Sequence, residues 1–139
     1  MTVDLSAFDT LASTQETGID IDIKGPDRRT SLGFTIRVAG PDSDRQKAAY
    51  RDITNARLAA EDAAPMSAAD IEKNIVTVLS RATISWTPNP KFGGVETECT
   101  VDNVAAVYKA YPFILEQVRA KAENRAAFTK GSVAPSAEQ

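Results

Sequence analysis

Between Gly18 and Lys24 the chain reads Gly-Ile-Asp-Ile-Asp-Ile-Lys. Strict alternation of Ile19, Ile21 and Ile23 with Asp20 and Asp22 has the two-residue period of a half-buried strand, with one apolar and one wet face. Gly25-Pro26-Asp27-Arg28-Arg29 supplies turn chemistry, and a second strand follows from Ser31 to Val38 with Leu32, Phe34, Ile36 and Val38 in phase. An antiparallel hairpin with one apolar face must be covered by other elements, and the rest of the chain offers helices.

Ser43 followed three residues later by Gln46 has the form of a capping box and starts a helix that can run to about Ala64. Its apolar content is thin, and its Arg45, Lys47, Arg51 and Arg57, interrupted by Asp44 and Asp52, read as a solvated face. Ser67 with Asp70 repeats the cap signature and opens a stronger amphipathic helix, with Ile71, Ile75, Val78, Leu79 and Ala82 on one stripe. This helix is expected to cover the hairpin.

Thr83-Ile-Ser-Trp86 alternates again, Thr87-Pro-Asn-Pro90 breaks the chain, and Lys91-Phe-Gly-Gly94 turns it towards Val95–Thr100, predicting a second, shorter β element. Thr100 stands at an N-cap position ahead of Val104, Val107, Tyr108 and Tyr111, and Pro112 restarts a helix carrying Phe113, Ile114, Leu115, Val118 and Ala122. The fold class expected is α+β: an N-terminal antiparallel hairpin, then a predominantly helical part with a short second β element. Residues 1–17 are expected to be a flexible segment, with Leu5, Phe8 and Leu11 able to form one amphipathic turn. Residues 18–130 are expected to form a single domain, and residues 131–139 a disordered tail.

Composition narrows the chemistry. The chain has no histidine, which removes the commonest general base and zinc ligand and excludes Ser-His and Cys-His nucleophilic pairs. Cys99 is the single cysteine, so no internal disulfide exists, and a small apolar core role is expected for it. The pairs Asp20/Asp22 and Glu96/Glu98 could each meet a cation, yet hard cations take more oxygen ligands, so wet strand faces are expected. No catalytic group, cofactor site or metal site is predicted, and the chain is expected not to be an enzyme.

Net charge is −3 and its distribution is even: residues 1–64 carry eleven acids and eight bases, residues 65–139 eight of each. A nucleic-acid binder concentrates its cations, so none is expected. No apolar run is long enough to span a bilayer, and the N-terminus lacks a basic region followed by an apolar one. Trp86, Tyr108, Tyr111 and Phe113 either fill the core or leave part of an apolar stripe exposed for a partner helix.

The second half resembles phage tail assembly chaperones of long-tailed bacteriophages. The likeness lies in the Trp-ended ISW at 84–86, the FGGVETECT loop and acidic strand, the capped TVDNVAAVYKAY helix and the segment PFILEQVRAKAENRAAF. The GIDIDI hairpin and the GPDS lead-in to a charged helix look like the N-terminal part of the same group, so the resemblance covers about residues 18–130. It implies a non-virion factor that binds the tape-measure protein and keeps that long helical chain soluble while tail tube subunits polymerise around it. It also implies a second, longer product made by ribosomal frameshifting, and action in the cytoplasm of the bacterial host. Expected partners are the tape-measure protein and tail tube subunits, with no nucleic acid and no membrane; homo-oligomerisation is left open. The partner surface is expected at Tyr108, Tyr111, Phe113, Ile114 and Val118, one apolar stripe across the proline joint. Two other classes compete: a structural virion tail component (tube, terminator or connector subunit), and a small regulatory binding protein.

Overall fold

The computed structural model describes residues 2–60 and 64–129. The hairpin forms as its alternation demands: β1 (Ile19–Lys24) pairs antiparallel with β2 (Ser31–Val38), Ile21 opposite Ile36 and Ile19 opposite Val38. At the turn the Asp27 carboxylate accepts from the Arg29 and Thr30 amides at 2.9 and 3.0 Å. Ile21, Ile23, Phe34, Ile36 and Val38 are buried, whereas Leu32 is half-exposed although it is in phase with them.

The segment Thr83–Thr87, expected to belong with the second β element, instead forms β3 and joins β2 as the third strand of the first sheet, in the order β1-β2-β3. The cause lies in the preceding helix, α3 (Ala68–Ala82). It ends directly at Thr83, so the chain returns along β2 without a loop, and the Ala39 amide bonds the Ala82 carbonyl at 2.9 Å. Trp86 then sits opposite Ile36 and packs on Phe34 with ring centroids 5.7 Å apart. The separate β element is only the two-residue pair β4 (Lys91–Phe92) and β5 (Val95–Glu96); residues 97–100 are not strand.

Part of the segment 1–17, expected to be flexible, is fastened to the fold through Gln15. A 3-10 turn at Leu5–Phe8 precedes helix α1 (Leu11–Thr17). Its anchor is polar, which apolar periodicity could not reveal. Gln15 is 1% exposed; its Oε1 accepts from the Asp42 amide at 2.5 Å, its Nε2 donates to Asp42 Oδ2 at 3.1 Å, and its carbonyl accepts from Gly40. Leu11 packs against the core, while Leu5 and Phe8 stay exposed.

Ser43 caps α2 (Asp44–Ala59), accepting from the Gln46 amide at 3.3 Å. The Gln46 side chain does not complete a capping box. It is buried, and its Nε2 donates to the carbonyls of Ala39 and Ala122 at 2.9 and 2.8 Å, tying the end of β2 to the end of α5 (Pro112–Ala122). The helix stops at Ala59 rather than near Ala64; residues 61–63 lie outside the described residues. In α3 both halves of the Ser67/Asp70 box are made. Helix α4 (Val101–Ala110) is capped by Thr100, and Pro112 occupies the first turn of α5, where its missing N–H leaves nothing unsatisfied.

Helix α3 packs on α2, α4 and α5, and α5 on β1. One apolar cluster results, running from Ile21 to Phe128 and including Val76, Leu79, Trp86, Val104 and Val118. At that scale, each large side chain removed from water contributes about 1.5–3 kcal/mol. The fold is α+β. The tail expected over 131–139 lies outside the described residues. Among the described residues no helix is long and apolar enough to cross a membrane.

Candidate partner-binding site

The stripe predicted across the proline joint divides. Tyr108 and Val118 are fully buried and Ile114 is 6% exposed, because α3 and the sheet cover the faces of α4 and α5 that carry them. Tyr108 is held by chemistry as well as packing. Thr83 Oγ1 lies 2.7 Å from Tyr108 Oη and 2.8 Å from the Leu79 carbonyl. A threonine hydroxyl has one proton, and the carbonyl can only accept, so the phenol donates to Thr83. Burial pushes the Tyr108 phenol well above its ordinary range. These three residues are core, not surface, which corrects the expected continuous stripe.

Tyr111, 40% exposed, and the half-buried Phe113 remain accessible. The backbone turns at Tyr111 (φ −128°, ψ 79°) between the two helices, which swings both rings to one side of the joint. There they meet Phe92 of β4. Phe92 and Tyr111 stand edge to face at 6.0 Å and 75°, Tyr111 and Phe113 at 6.2 Å and 70°. The geometry is that of favourable aromatic pairs, each worth about 0.5–1.5 kcal/mol beyond area burial.

This row lines a hollow of about 320 Å³ whose other walls are Leu32, Gly33, Phe34, Pro88 and Pro90. Its one charged lining residue is Lys91. Leu32 is exposed here because Gly33 takes a left-handed φ of 69° and bends the start of β2. On the other flank of the joint a second hollow of about 560 Å³ runs between α3, α4 and α5, with Pro112, Leu115 and Val76 in its floor and Glu72, Lys73, Lys109 and Glu116 at its sides. The joint therefore presents an aromatic hollow on one side and a mixed apolar and charged groove on the other.

Of the five residues expected on the partner surface, Tyr111 and Phe113 stand accessible at this hollow and the buried Ile114 only backs it, while Leu32, Phe92, Pro88 and Pro90 were not expected there. The clustering of Phe92 with two prolines and two glycines between Thr87 and Val95 was the available signal. Trp86, the other candidate aromatic, is 5% exposed and donates from Nε1 to the Thr97 carbonyl at 3.2 Å, so it serves the core.

Of the two candidate carboxylate pairs, the one on β1 is engaged in ion pairs. Asp20 pairs with Arg37 at 3.1 Å, and Asp22 with Lys24 at 2.6 Å. Among the described residues no three His, Cys, Asp or Glu side chains gather where they could hold a metal ion. Cys99 is half-buried, and desolvation raises its thiol above the ordinary range, so it stays protonated at neutral pH. Compared with protein-family models, curated proteins and solved structures, the chain matches none.

Proposed function

We propose that this chain is a tail assembly chaperone of a long-tailed bacteriophage, binding the tape-measure protein and assisting assembly of the tail tube without catalysis. The observation that carries the reading is the aromatic hollow at the joint of α4 and α5, within the segment whose sequence resembles that family. Phe92, Tyr111 and Phe113 offer a rigid apolar socket, and an amphipathic helix buries one or two large side chains in such a socket while its polar face stays wet. A long apolar helix awaiting its tube is an aggregation hazard, and reversible cover of this kind keeps it soluble. The chaperone acts in the host cytoplasm and is absent from finished particles.

Co-expression with the tape-measure protein of the same phage tests this. The unaltered chain is expected to keep that protein soluble and to co-purify with it, and Tyr111→Asp with Phe113→Ser to lose both effects while keeping the native circular dichroism spectrum. Recovery unaffected by the two substitutions would reject the hollow as the site. Finding the 139-residue product inside purified particles would reject the chaperone reading in favour of a structural tail component.

A further inference from the structure

An N-terminal helix and a C-terminal turn meet on one carboxylate. Asp42, between β2 and α2, accepts from Arg125 Nε at 2.6 Å and Nη2 at 2.7 Å, and its Oδ2 also receives Gln15 Nε2 at 3.1 Å. Arg125 opens the 3-10 turn Arg125–Phe128, and Gln15 belongs to α1. The two-pronged Arg125 contact fixes the carboxylate in the orientation that Gln15 uses, so losing one partner loosens the other.

Packing repeats the connection. Among the described elements, α1 packs chiefly on this turn, and the turn packs on α1 and α5. Each has one buried side chain, Gln15 in α1 and Phe128 in the turn. Phe128 is fully enclosed in the same apolar cluster against which Leu11 of α1 packs. The rest of the α1 attachment is polar and goes to the segment around Asp42: the Gly40 amide donates to the Gln15 carbonyl at 3.0 Å, and the Asp44 amide to Glu16 Oε2 at 2.7 Å.

We infer that α1 and the turn Arg125–Phe128 form a latch: they leave the fold as one unit, and the turn governs the release of residues 2–17. Firmer attachments set the limits of the unit. Ile19 is paired with Val38 in the sheet, and Gln46 Nε2 holds the Ala122 carbonyl at 2.8 Å, so the chain parts at Gly18 and at Glu123. Segments held by few buried contacts open well below the free energy of global unfolding, and here the same few contacts serve both segments. Val3, Leu5 and Phe8 are exposed while the latch is closed, and opening adds Leu11 to them. Leu5, Phe8 and Leu11 recur every three residues, so the turn keeps an apolar arm folded back on the molecule. This device is independent of what fills the aromatic hollow.

Hydrogen exchange of the full chain, read by mass spectrometry on peptides covering residues 11–17, 124–129 and 76–82, is the test. In the unaltered chain the first two are expected to open with the same dependence on denaturant, and before the α3 peptide. Phe128→Ala should speed exchange at 11–17 roughly tenfold more than at 76–82. That substitution leaves a cavity, so Arg125→Met, at a largely exposed side chain, supplies a second reading: 11–17 should speed roughly threefold with 76–82 unchanged. Gln15→Ala should in turn speed exchange at 124–129. If 11–17 kept its protection in both turn variants, the two segments would open independently and the inference would fall. It would fall equally if 11–17 and 76–82 sped up together, since the whole fold would then be opening.

Discussion

The side-chain amide of Gln117 closes both main-chain groups of Lys24: Oε1 accepts from the Lys24 amide at 2.8 Å and Nε2 donates to the Lys24 carbonyl at 2.8 Å. One side chain on α5 thus does at the end of β1 what a neighbouring strand would do. An unpaired strand edge is a template for association with other chains, and covering it removes that hazard.

Replacing Gln117 by Leu leaves a partly buried donor and acceptor without partners. A loss of about 1–3 kcal/mol is expected, with increased aggregation during refolding. Gln117→Glu should recover only part of it, since a carboxylate accepts from the amide but faces the carbonyl with a second oxygen. Urea denaturation reads the difference, and equal midpoints for the wild type and the Leu variant would rule the closure out as a stabilising contact.

The Tyr108 and Thr83 pair predicts an asymmetry. Tyr108→Phe removes a donor but leaves Thr83 bonded to Leu79, so about 1 kcal/mol should be lost. Thr83→Val strands the phenol in the core without an acceptor, and the loss should rise to about 1–3 kcal/mol. If Tyr108→Phe proved the more damaging, the proton assignment would be reversed.

Asp42 links both ends of the fold, accepting from Arg125 Nε at 2.6 Å and Nη2 at 2.7 Å, as well as from Gln15. Those bonds, Arg125 foremost, lower its carboxyl to about 2. A depressed carboxylate contributes stability that is complete above about pH 4 and is lost as pH falls through the folded value. Both side chains are more than a third exposed, so the effect is screened and modest. Arg125→Met should flatten the pH dependence of the denaturation midpoint between about pH 4 and pH 2; an unchanged slope would mean that other carboxylates govern acid sensitivity.

Two glycines should fail for different reasons. At Gly33 a Cβ meets nothing within 4 Å, but φ is +69°, so Gly33→Ala should cost about 1 kcal/mol through the backbone alone. At Gly40 a Cβ would lie 2.5 Å from Gln15 Cγ and 2.8 Å from its Cβ. Gly40→Ala should therefore displace α1, destabilise by about 1–3 kcal/mol and open residues 10–18 to protease. Protection of that segment in Gly40→Ala would contradict the packing described.

What the sequence made legible was local. Ile19, Ile21 and Ile23, the Ser67/Asp70 box, Thr100 and Pro112 each act through neighbours a few residues away, and each marks its element correctly. The pairing of Thr83–Thr87 with β2 depends on residues almost fifty positions apart, and nothing in TISWT names its partner. Gln15, Gln46 and Gln117 join elements through amides, which leave no hydrophobic period. The inward turn of Tyr108, Ile114 and Val118 followed from α3 and the sheet covering them together, so a stripe legible on one helix was only half of the surface question. Leu32 escaped because Gly33 breaks the alternation that would have buried it.

The outer half of α2 bears on how this chain tolerates change. Since none of its residues from Tyr50 to Ala59 is buried, the fold exerts little selection there beyond the Asp52–Arg81 pair, and a library of substitutions over that span should keep the native fold in most members. Tolerance to change is thus divided by position in this protein: the sheet, α3, α4 and α5 carry the core, and the last turns of α2 lie outside it.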